Sequence, residues 1–141
     1  MKKNVLITVT GIQGKEPSED IQMVIPGQYY QKNDKFYITY KESELTGMEG
    51  TTTTIKVEKN AVSILRFGKN NATMIFEMGK KHTSHYDTPH GSFMIAMSTK
   101  EMNIDLNQDG GSIYVKYALE LDHMAIGTHT FHLLIDLIKE D

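Results

Sequence analysis

Apolar side chains recur at every second position along almost the whole chain. Val5, Ile7 and Val9 share one face of the first such run, and Phe36, Ile38 and Tyr40 share a face of a later one. The same step of two carries Ile55 and Val57, then Phe93, Ile95 and Met97. It continues through Ile113, Val115, Tyr117, Leu119 and Leu121, and through Phe131, Leu133, Ile135 and Leu137. A period of two belongs to strands with one face buried and one face wet, because successive side chains point to opposite sides.

Turn signals punctuate these runs. Lys32-Asn33-Asp34-Lys35 and Asn107-Gln108-Asp109-Gly110-Gly111 are hairpin sequences, the second the stronger. Lys59-Asn60, Gly68-Lys69-Asn70-Asn71, Gly79 and Asp122-His123 mark further reversals, and Gly11 to Gly14 ends the first run. In Thr88-Pro89-His90-Gly91 proline fixes one backbone angle and glycine allows a positive one. The second strand, carried by Ile21, Met23 and Ile25, meets Pro26-Gly27, which predicts a bulge or bend before it resumes at Gln28 to Gln31. After Met97 the apolar positions move to Met102, Ile104 and Leu106, so one extra residue is expected near Thr99-Lys100. Ser43 to Gly50 reads as a loop, and Lys80 to Asp87 as a polar strand at a barrel rim.

Eight to ten short strands, tight turns and no convincing helix make the chain all-β. Consecutive strands joined by short turns form an antiparallel meander, and one this long closes into a barrel, which removes exposed edges. A β-sandwich is the alternative. With 141 residues and no linker or repeat, residues 1–141 read as one domain.

Composition narrows the partners. Fifteen Lys and Arg against eighteen Asp and Glu give a net charge of −3, with no basic stripe for nucleic acid. There is no cysteine, so disulfides, thiolate metal sites and cysteine nucleophiles are excluded. The apolar run after Met1-Lys2-Lys3 is too short for a signal peptide, and no segment is long enough for a membrane helix. A cytoplasmic protein with neither a nucleic-acid nor a membrane partner is the expectation.

Several stretches, in order, resemble the YwiB-like proteins, a bacterial family of unknown function. They are Gly27-Gln28-Tyr29-Tyr30 before the Lys32–Lys35 turn, Phe36-Tyr37-Ile38-Thr39-Tyr40, the Thr51 to Val57 strand, Tyr86-Asp87-Thr88-Pro89-His90-Gly91, and Tyr117-Ala118-Leu119-Glu120-Leu121. In that family tyrosine usually stands between the proline and the glycine; here it is His90. The resemblance implies a calycin-type barrel, similar to lipocalins in architecture, and brings no activity with it.

Chemistry is harder to read. His82, His85, Asp87 and His90 are metal-ligand types. On a regular strand His85 and Asp87 share a face while His82 points away with Tyr86, so the bland reading is a wet strand near a rim. His123, His129 and His132 are scattered; His129 shares its face with Phe131 and Leu133 and belongs inside, near one barrel end. No serine motif or oriented base accompanies any histidine, so no catalytic residue is assigned. No phosphate loop, dinucleotide fingerprint or calcium loop is present, and neither a cofactor nor a metal is implied. Arg66 falls in phase with Val62 and Ile64, and inward or outward phase is equally simple.

Nine methionines are unusual, and flexible thioethers suit an adaptable cavity as well as a packed core. The expected function is binding of a small apolar or amphipathic molecule inside the barrel. The expected lining is Met23, Phe36, Ile38, Met78, Phe93, Met97 and Tyr117, with Tyr86 and His90 as polar groups at the mouth. Two alternatives stand beside it. One is a packed barrel whose surface binds a protein or a second copy of itself. The other is a metal protein using His82, His85, Asp87 and His90.

Overall fold

The computed structural model describes residues 2–12, 20–43 and 48–138. Gly14, the middle of the Ser43–Gly50 loop and the side chain of Ile21 lie outside the described residues.

Among the described residues ten strands follow one another: β1 (Lys3–Ile12), β2 (Asp20–Lys32), β3 (Lys35–Lys41), β4 (Thr51–Val57), β5 (Ala61–Gly68), β6 (Asn71–Glu77), β7 (Lys81–Thr88), β8 (Gly91–Asn107), β9 (Gly110–Leu121) and β10 (Met124–Leu137). Each pairs antiparallel with its neighbour in sequence, and β10 returns to β1. The meander is therefore a closed barrel, as the alternation implies.

The turns do what their residues predict. Asn33 and Asp34, and again Asp122 and His123, have positive φ at both central positions, the geometry that matches the twist of a two-residue hairpin. The β7–β8 turn leaves only Pro89 and His90 between the paired residues Thr88 and Gly91. The Thr88 hydroxyl accepts from the His90 amide at 3.1 Å and donates to the Gly91 carbonyl at 3.0 Å. Gly91 has φ +136°, a conformation glycine adopts without strain. The register shift in β8 falls between Thr99 and Glu101, where the change of apolar phase placed it. A second shift, between Ala125 and Gly127 of β10, has no such signal in the sequence.

The bulge expected at Pro26-Gly27 is absent. β2 runs through Pro26-Gly27 without a bulge, pairing Leu6 with Pro26 and Val5 with Gly27. Pairing with β3 begins only at Gln28, so on that side Pro26 has no ladder to interrupt. Gly27 lies where β3 crosses closely: a Cβ there would sit 2.6 Å from the Thr39 carbonyl oxygen and 2.7 Å from Ile7 Cδ1. Gly27 therefore serves close packing.

The inner face is mostly apolar. Val5, Ile7, Ile38, Val62, Met97 and Ile113 are fully buried. The Asn107 end of the barrel is closed: Tyr29 stacks on Phe36 with centroids 5.6 Å apart and donates its hydroxyl to the Asn107 carbonyl at 2.7 Å. The wall loosens in two places. β6 and β7 are paired only at Asn71–Asp87 and Ala72–Tyr86. β2 and β3 are paired only over Gln28–Lys32.

Candidate functional site

A cavity of about 400 Å³ occupies the opposite end, where β1 finishes and β2 begins. Its apolar wall is built by inward positions of β1, β2 and β10: Val9, Met23, Ile25, Phe131 and Leu133. Ile55, Ile64 and Met74, from β4, β5 and β6, line the other side. Phe76 forms the floor. Its ring meets Tyr117 at 4.8 Å and Phe131 at 5.2 Å, both edge-to-face, an arrangement favoured by the ring quadrupoles.

Among these apolar residues sits a polar cluster. Arg66 continues the Val62–Ile64 face and points inward, while its neighbour Phe67 is 78% exposed. Glu42 continues the Phe36–Ile38–Tyr40 face one step past the end of β3, and its side chain is 1% exposed. The Thr53 hydroxyl donates to Glu42 Oε2 at 2.5 Å, and Arg66 Nε stands 3.8 Å from the same oxygen. The Tyr40 hydroxyl lies against Glu42 and Thr53. His129 stacks on Tyr117 at 5.9 Å, and its Nε2 is buried without a hydrogen-bond partner, as is Arg66 Nε. At the rim the Tyr86 hydroxyl donates to Met48 Sδ at 3.3 Å, and the Arg66 guanidinium lies 6.0 Å from the Tyr86 ring centre. The groove left where β2 and β3 part shares Ile25, Tyr40 and Glu42 with the cavity, so the cluster borders both.

The Tyr40 pKa is pushed up to about 12 by burial, with the Glu42 charge adding to the rise and Arg66 opposing it. Tyr29 and Tyr117 are raised as well, burial being the leading cause in each. In the unfolded chain tyrosine ionises near pH 10, so above that pH the unfolded state loses a proton that folded Tyr40 keeps. The stability Tyr40 contributes is complete below about pH 10 and is lost as pH rises towards about 12. Tyr40→Phe should flatten that alkaline decline by roughly 2 to 3 kcal/mol. Urea midpoints measured across this window would check it, and equal pH slopes in the two proteins would contradict it.

The expected lining residues separate into groups. Met23 and Tyr117 line the cavity. Tyr86 reaches its rim through Met48 and Arg66. Ile38 and Met97 are fully buried in the packed core and do not line it. Phe36 is at the closed end against Tyr29. Met78 falls in the turn after β6 and is 49% exposed, because the strand ends one residue earlier. Phe93 and His90 border a separate surface depression with Lys69 and Asn70.

The metal reading does not survive the geometry. Half-buried His82 meets Glu77 Oε1 at 3.0 Å, while the exposed Asp87 accepts from the Ser92 hydroxyl at 2.7 Å. His85 is exposed on the outer face of β7, and His90 is in the turn. Strand alternation sets His82 on the face opposite His85 and Asp87, and no group of three or more potential ligands converges among the described residues. The Glu77 carboxyl is held below its usual range by the His82 hydrogen bond first and by Lys80 second, an ordinary surface contact.

Sequence reasoning missed several site residues, among them Tyr40, Glu42, Met48 and Thr53. Glu42 was within its reach: one further step of two beyond Tyr40 places a carboxylate on the inner face, at the same end as an inward Arg66.

The match to known proteins covers almost the whole chain. The model of a domain of unknown function, DUF1934, matches residues 7–133. The chain belongs to the DUF1934 family. It is 28% identical over 136 residues to the uncharacterized beta-barrel protein YwiB of Bacillus subtilis (strain 168), covering 94% of this chain and 91% of that one. The crystal structure of the ywiB protein from Bacillus subtilis superposes with a TM-score of 0.78 at 20% identity, over 98% of this chain and 94% of that chain. The β-barrel is thus shared with that relative, and no helix among the described residues is long and apolar enough to cross a membrane.

Proposed function

We propose that the barrel binds one small apolar or amphipathic molecule in the cavity at its β1–β2 end. The observation that carries this reading is the uneven filling of the interior. The Asn107 end and the middle are packed solid, whereas the other end holds about 400 Å³ with an apolar wall and a few polar groups. Such a volume is within the range of small-molecule sites, and a mostly apolar lining with sparse polar groups is their usual make-up. A meander barrel with one open end also supports the calycin-type comparison drawn from the sequence, in which a barrel of this size holds one small ligand.

Titration with an environment-sensitive apolar dye should give one-to-one binding. Met74→Trp, which projects a larger side chain into the cavity, should weaken it by about tenfold or more with the fold retained. Full-strength dye binding by Met74→Trp, or no binding by the unmodified protein, would remove the reading and leave the outer surface as the place to seek a partner.

A further inference from the structure

We propose that the ligand is a monocarboxylate with an apolar body of about ten carbons, its head held by Arg66 and His129. This rests on the cavity reading above and names the chemistry of its occupant. Donors and acceptors decide the head group. Glu42 is the one acidic side chain on the cavity lining among the described residues. Its Oε2 already receives the Thr53 hydroxyl, and Tyr40 lies against the same carboxylate. Arg66 is 16% exposed and sits 3.8 Å from that oxygen, close enough for attraction but with Nε making no hydrogen bond. A guanidinium has five N–H donors and no acceptor. His129 Nε2 is a second buried nitrogen without a partner, on the opposite wall of the same cavity. In the tautomer with its proton on Nε2 it donates as well.

With His129 in that tautomer donors exceed acceptors in the cavity, and a buried donor left unpaired is costly. A ligand acceptor placed between Arg66 and His129 relieves both. The planar fork of a carboxylate matches a guanidinium, and such charge-assisted bonds are stronger than neutral ones. Glu42 stands 3.8 Å from Arg66 without a hydrogen bond and offsets its charge only in part, so one further negative charge is tolerated better than the two of a phosphate monoester. Size sets the tail. At about 30 Å³ per non-hydrogen atom, the share of one water molecule in the liquid, the cavity takes about a dozen such atoms. The Val9, Met23, Ile25 and Leu133 wall gives the tail an apolar bed.

Calorimetric titration at neutral pH with decanoate and with decan-1-ol separates the possibilities. The unmodified protein should bind decanoate one-to-one and at least about tenfold more tightly than the alcohol. The double variant Glu42→Gln/Arg66→Met, which removes both members of the buried ion pair, should lose that preference while still binding decan-1-ol. Equal affinities in the unmodified protein overturn the carboxylate assignment and leave the cavity reading intact. A preference that persists in the double variant overturns the role of Arg66. If neither compound binds, the cavity reading itself fails and the assignment falls with it.

Discussion

Phe76→Ala should lower the unfolding free energy by about 3 to 5 kcal/mol, the cost of removing a buried aromatic ring from a packed core. Phe76 is 1% exposed and holds the rings of Tyr117 and Phe131 edge-to-face. It separates the cavity above from the solid core below, where Ile38, Val62, Met97 and Ile113 pack together. Removing it costs the apolar transfer of the ring and the contacts of two other aromatics, and the ladder from β6 to β5 limits how far the wall can relax into the space. Urea unfolding would measure the change, and the melting temperature should fall by roughly 10 °C or more. The variant should also bind longer acyl chains than the unmodified protein, because the floor of the cavity has been lowered. A midpoint close to that of the unmodified protein would show that Phe76 is not the packed floor described above.

Arg66→Met should destabilise by about 3 kcal/mol, and the addition of Glu42→Gln should recover most of it. The physical cause is asymmetric. Glu42 is almost wholly buried, and without the guanidinium it keeps hydrogen bonds but loses its compensating charge. Breaking a buried ion pair by removing one partner is costly, whereas replacing both charges by neutral groups of similar size is often close to neutral. The amide that Glu42→Gln introduces can still meet the Thr53 hydroxyl. A double-mutant cycle from urea midpoints gives the coupling between the two residues. Additive losses would mean that the 3.8 Å approach carries no energy and that Arg66 acts by filling space alone.

Much of the fold was legible because the wall of a barrel repeats one rule. Alternation states which side of each strand is wet, and the two-residue turns at Asn33-Asp34 and Pro89-His90 state where each strand ends. The slip of phase from Met97 to Met102 located the β8 bulge to within a residue, since a single inserted residue turns every later side chain to the other face. Pro26-Gly27 misleads for a reason of context. Whether a proline breaks a strand depends on whether its flank is paired, and β2 has a neighbour on that side only from Gln28 onward. The β10 bulge at Ala125–Gly127 lies among exposed residues, where no apolar phase records it.

The site was legible in direction but not in depth. Met23, Ile38, Met97 and Tyr117 all point inward, as their period requires, yet two line the cavity and two are sealed in the core. Alternation fixes the side of the wall to which a residue projects and says nothing of its height along the barrel axis. Height follows from strand tilt and from the stagger between neighbours. The same stagger brings Glu42, one step beyond the end of β3, level with Arg66 of β5 and within reach of a cavity wall built by β10. The sequence by itself determined the all-β class, the order of strands and the inner face of most of them, β5 excepted. Tertiary structure alone decided which layers of that inner face pack solid, which end stays open, and that a buried carboxylate, a guanidinium and an imidazole gather there, because those outcomes depend on registers summed around the whole barrel rather than on the pattern within any one strand.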